Sequence, residues 1–288
     1  VARLPVRRPE RASDTWFFEH AVSIELLGDL MLGRPNRDDA ILEASGAHRE
    51  LERFAVADGR LVVEITTPAQ GRDPAALHTL AERTGVHIVL AAQPTNRTDV
   101  LVDELQHGVD GIRAGVISLS DGSAPEVAWE AAAATGAPVL ADIGGDLDRA
   151  RSLIHTADTC GIDPARIAVR AAHDLLAGPD GVKPVLDTGA HIVFDRLGRI
   201  PSIYTTISDH EIAATIADLV STGHGDRILL GAGLDRKHAF TTFGGNGLRF
   251  LPLQFLPYLT RLGVPEDNAR RLVTTNPARF LAWTEPIA

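Results

Sequence analysis

The chain has 288 residues, a formal net charge of −10 and 44% hydrophobic residues. That is ample material for a large apolar core, and the acidic balance excludes nucleic acid or an anionic membrane as the main partner, because both need a basic surface. The single cysteine, Cys160, excludes an internal disulfide and a cysteine-rich zinc site.

Residues 1–14 carry Arg3, Arg7, Arg8, Glu10, Arg11 and Asp14 and no apolar h-region. They read as an arm without signal peptide or membrane span, and a cytoplasmic location is expected. Thr15–Phe18 is read as a short first strand leading into Glu19 and His20, with helix after them. "RLVVEIT" (60–66) reads as a buried strand and 73–85 as a helix ended by glycine. Strands follow at 86–92, 114–120, 137–143, 165–171, 190–195 and 226–233. Helices are predicted at 98–108, 124–136, 146–161 and 208–223. Short continuous apolar strands between amphipathic helices imply parallel strands covered on both faces. The count of about eight predicts an α/β fold, a (β/α)8 TIM barrel over residues 15–288, as one domain. A doubly wound open sheet is the alternative. No G-x-G-x-x-G follows the early strands, so a dinucleotide fold has no support.

A barrel carries its chemistry at the carboxyl ends of its strands. The candidates there are His20, Glu64, Ser118, Asp142, Arg170 to Asp174, Asp195 and Gly233 to Asp235.

Three stretches carry a resemblance: "FGGNGLRFLPLQFLPYLTRLGVPEDNARRLVTTNPARFLAW" (243–283), "EITTPAQGRDPAALHTLAERTGVHIV" (64–89) and "GAHIVFDRLGR" (189–199). In order and spacing they resemble the phosphotriesterase family of the amidohydrolase superfamily, from about Thr15 to the end. The resemblance implies a distorted TIM barrel and, ordinarily, a binuclear metal hydrolase of lactones or phosphotriesters. By that resemblance the first-strand His-x-His falls on Phe18 and His20, and the bridging lysine on Ser118. The fifth-strand His falls on Asp142, the sixth-strand His on Ala171 and the eighth-strand Asp on Gly233. One of the six ligands remains. Phenylalanine, alanine and glycine cannot hold a divalent ion, and serine is a poor bridge. No metal and no cofactor are therefore expected. A slip of two residues on the sixth and eighth strands would bring in His173 and Asp235, which with His20 and Asp142 could make a mononuclear site.

The resulting expectation is metal-independent acid/base chemistry on a small organic molecule, a cyclisation, isomerisation, elimination or hydrolysis within secondary metabolism. His20 and Asp142 are the expected catalytic pair, hydrogen-bonded directly or through water. Arg170, His173, Asp235 and Ser118 are the expected substrate-binding residues. Asp195 and Glu64 are read as inherited structural groups. A non-catalytic binding subunit and a mononuclear hydrolase are the alternatives. "FLPLQFLPYL" (250–259) reads as core, pocket wall or subunit contact, and a homodimer is the expected assembly.

Overall fold

The computed structural model describes residues 2–11, 14–120 and 122–287. Val1, Ala12 and Ser13 of the expected arm, and Ala288 at the end of the expected barrel domain, lie outside them. The chain begins with β1 (Ala2–Arg3). It runs through the short helices α1 (Thr15–Glu19) and α2 (Leu27–Met31) to β2 (Ile41–Leu42), which pairs antiparallel with β1. The arm is thus tied down at its start, and Ala2 is buried.

The barrel follows from α3 (Ala44–Val56) onward. Its strands are β3 (Leu61–Glu64), β4 (His87–Ala92), β5 (Val116–Leu119), β6 (Val139–Asp142), β7 (Ile167–Arg170), β8 (His191–Phe194) and β9 (Ile228–Leu230). They form one parallel sheet in strict chain order. The helices between them are α4 (Pro74–Thr84), α5 (Thr98–Gln106), α6 (Pro125–Thr135), α7 (Leu147–Thr159), α8 (Ala172–Leu175), α9 (Lys183–Leu186) and α10 (Asp209–Ser221). After β9 come α11 (Leu256–Arg261), α12 (Glu266–Arg271) and α13 (Thr275–Leu281). Local chemistry fixes several helix ends. The Asp73 side chain accepts from Ala76 N with Pro74 opening α4, and Gly85 closes that helix at φ 68°. Ser208 and Glu211 form a capping box on α10.

Alternation along the strands sorts the side chains. Val63, Val89, Ala91, Val116, Leu140, Ala168, Val193 and Leu229 meet in one apolar cluster inside the barrel, plugged by Phe280 of α13. The residues between them, such as Ile117, Val139, Val169, Ile192 and Ile228, pack outward among the helices. Extending this period of two places Ser118, Asp142, Arg170, Asp195 and Gly231 on the inner face at or just past the strands' carboxyl ends.

The predicted first strand is not formed. Thr15–Phe18 is helical, and β3 to β9 are the barrel's second to eighth strands. Among the described residues, the outer edges of β3 and β9 have no ladder partner. The helical turn lets Phe17 join Val22, Leu26, Leu30 and Phe243 in a separate apolar cluster. Asn36 Nδ2 donates to the carbonyl oxygens of Phe17 (2.6 Å) and His20 (2.9 Å), and Arg34 lies over the Phe17 ring. These local contacts replace the ladder a first strand would make.

This N-terminal segment is pinned to the loop after β9. Lys237 is buried and its Nζ is 2.6 Å from Asp38 Oδ1, while Asp38 Oδ2 accepts from Val22 N. His238 Nδ1 lies 2.9 Å from both oxygens of Asp39. Within "FLPLQFLPYL", Leu251, Phe255 and Leu259 are buried in the main core, and Leu253 is exposed.

Candidate functional site

Asp142 and Arg170 end neighbouring strands in register, so their side chains leave the sheet on the same inner face. Asp195 follows the last residue of β8 and completes a line of three charges. Arg170 Nε donates to Asp195 Oδ2 at 3.0 Å, and Arg170 Nη1 lies 3.7 Å from Asp142 Oδ2. Asp142 Oδ1 also accepts from Gly144 N at 3.1 Å. The arginine and Asp195 side chains are 16% and 15% exposed, against 32% for Asp142, so Asp142 is the member turned to solvent. One oxygen of Asp195, Oδ1, is buried and accepts no hydrogen bond from the described residues. A buried carboxylate oxygen without a donor is costly, and such groups concentrate where a ligand or water completes the network.

The other candidates take separate places. His173, on α8, is buried, and its Nε2 accepts from Arg196 Nη1 at 3.0 Å. The same Nε2 lies 3.3 Å from Asp174 Oδ1, and Nδ1 is buried with no partner among the described residues. Burial holds the His173 pKa below the usual value, with Asp174 opposing and Arg196 assisting. Arg196 also reaches Asp174 Oδ2 at 3.3 Å. Asp235 pairs with Arg199 at 3.0 Å. Ser118 is buried on the inner face of β5.

His20 does not join this group. It follows α1 as an exposed residue, with its ring stacked on Trp16 at 4.5 Å between centroids, and no hydrogen bond links it to Asp142. A direct His20–Asp142 hydrogen bond is therefore not formed, because Thr15–Phe18, expected to be a strand, is helical. The slipped set is not assembled either. His20 contacts Trp16, Asp142 contacts Arg170, His173 contacts Arg196 and Asp174, and Asp235 contacts Arg199.

The residues present do not fit the binuclear centre of such barrels. Among the described residues no three His, Cys, Asp or Glu side chains are grouped to hold a metal ion. On the sixth barrel strand the inward residue is Arg170, not Ala171. Ala171 is buried in a left-handed conformation, φ 53°, at the start of α8. A Cβ added to Gly233 would overlap the carbonyl oxygen of Asp195.

A cavity of about 350 Å³ opens beside the mouth, lined by the loops after β6 and β7, including Gly145, Asp146, Asp148, Arg151, Asp174 and Asp180. Arg196 and Arg199 were not singled out in the sequence as site residues. The signal available was their place just beyond the seventh barrel strand, within "FDRLGR".

The sequence profile of the phosphotriesterase family matches residues 34–281. An N-acetyltaurine hydrolase of Danio rerio is 25% identical, with 84% of this chain and 78% of that protein covered. A resiniferatoxin-binding protein from Rhodobacter sphaeroides superposes with a TM-score of 0.87 at 27% identity, over 96% of this chain and 86% of that one. A lactonase from Listeria monocytogenes, 20% identical, shares the fold with a TM-score of 0.76 over 93% and 94% of the two chains. With a profile match across most of its length and the barrel to go with it, this chain belongs to the phosphotriesterase family.

Proposed function

We propose that the protein acts on a small organic molecule at the carboxyl ends of its barrel strands, without a metal ion, with Asp142 as the acid/base group. The observation that carries this reading is the Asp142–Arg170–Asp195 line on the inner face, in which Asp142 stands, by the family resemblance, at a metal-ligand position. Decay of a disused site would leave neutral side chains, whereas buried charge is maintained only at a cost. Asp142 is the more exposed carboxylate and is free on one side to exchange a proton with a ligand. Arg170 supplies further N–H donors for a ligand oxygen, and Asp195 orients it.

The relatives named N-acetyltaurine hydrolases give the first substrate class to test, an N-acylated amine. Simple lactones are the second. Turnover of a panel of both classes, and of small molecules open to isomerisation or elimination as in secondary metabolism, is measured with excess chelator present. Activity that survives chelation and falls by about 10²–10⁴ in Asp142→Asn supports the reading. Activity that appears only with added zinc overturns it. A non-catalytic binding protein is the second reading, favoured by the position of His20 outside the mouth. A ligand that binds but is not turned over, with binding unchanged in Asp142→Asn, decides for it.

A further inference from the structure

Of the ligand positions that the resemblance puts on the sixth and eighth strands, Gly233 sits at φ 57° with no room for a Cβ, and Ala171 is buried just past Arg170, which takes the inward place on its strand. The inner face offers something else. Two carboxylates flank one guanidinium, leaving the three groups with one excess negative charge. Arg170 makes a hydrogen bond to Asp195 but stands 3.7 Å from Asp142, beyond hydrogen-bond reach. Asp195 Oδ1 has no donor among the described residues. Two inward carboxylates with a monovalent cation between them, and acceptors to spare, are two thirds of a divalent-ion site.

We infer that Arg170 occupies the cation seat of this barrel. Its guanidinium is the counter-charge of Asp142 and Asp195, and it excludes a divalent ion by filling the place between them. This rests on the metal-free reading of the same site. Replacing the guanidinium with an imidazole at the same inward position converts the group into a zinc site with two carboxylate ligands and one nitrogen. The same pairing accounts for a carboxylate at the fifth-strand position, where the resemblance puts a histidine: Asp142 has a cation to pair with.

The test titrates the full chain with zinc chloride, as wild type, as Arg170→His, and as Arg170→His combined with Asp142→Asn. Cobalt absorption spectra report the donor atoms. Arg170→His should take up about one zinc per chain, at least about 100-fold tighter than wild type, the scale of uncovering a buried charge. The added Asp142→Asn should abolish that gain. Zinc binding by Arg170→His no tighter than by wild type, or a gain that survives Asp142→Asn, overturns the inference. Should Arg170→His not fold, Arg170→Ala serves. Zinc should raise its melting temperature and leave that of wild type unchanged, and no rise counts against the inference. Wild-type protein that itself binds zinc through Asp142 overturns both this inference and the metal-free reading. An Arg170→His variant without zinc beside a metal-free wild type overturns only this one.

Discussion

His191 lies at the amino end of β8 against Phe280, and burial with the nearby Arg227, Arg166 and Arg279 lowers its pKa to about 4. The unfolded chain holds this proton with a pKa near 6.5, so it binds more protons than the folded state between the two values. Stability from this group is fully present above about pH 6.5 and is lost as pH falls towards 4, by roughly 3 kcal/mol. His173 is shifted in the same direction by burial and adds to the same slope. His191→Leu should flatten part of the profile, which urea melts across this range will measure. An unchanged slope would show that the ring charges without cost. Gly233 makes a second test of the residue scale. Gly233→Ala should cost about 3 kcal/mol, combining left-handed strain with overlap on Asp195. Gly223, at φ 88° with open space around it, isolates the strain alone, and Gly223→Ala should cost only about 1–2 kcal/mol. Equal losses in thermal melts would remove the steric argument for the closed eighth-strand position.

Among the elements, α6 is anchored in the core by Trp129, which is fully buried there. Trp129→Ala should destabilise by about 3–5 kcal/mol, read by denaturant unfolding. The segment before the barrel depends on a different kind of contact. Lys237→Ala leaves Asp38 without its cation and should cost about 3 kcal/mol. It should also speed proteolysis within residues 14–40, since Asp38 and Asp39 pin that stretch to the loop after β9. Protection equal to wild type would place the anchorage elsewhere. These two elements show what was legible. The strands at 86–92, 137–143 and 190–195 and helices such as 124–136 could be read because each is a local apolar pattern with its own glycine or proline boundary. Thr15–Phe18 misled because "TWFF" suits a strand by composition, yet Phe17 finds its partners in Val22, Leu26 and Leu30, five to thirteen residues on. The pairs Asp38–Lys237 and Asp39–His238 join residues 199 apart, and no local signal marks them.

At the scale of the whole molecule, the barrel order could be read from the alternation of strands and helices, and the site's location followed from it. Asp142 and Arg170 were legible because a charged residue at an inward strand end is conspicuous. Their placement as an ion pair was not, because it depends on register between strands and on one arginine lying between two carboxylates. His20 was misplaced for the same reason as the first strand, since a ligand position inherited through a family motif carries meaning only if its strand forms. The central proposal is that the Arg170 guanidinium, between Asp142 and Asp195, takes the place of a metal ion in this barrel. Elemental analysis of the full chain, purified without chelator and without added metal, tests this most directly. The account predicts well under one zinc, manganese, iron or cobalt per chain. A tightly held metal approaching one or two per chain, lost on Asp142→Asn, would contradict it.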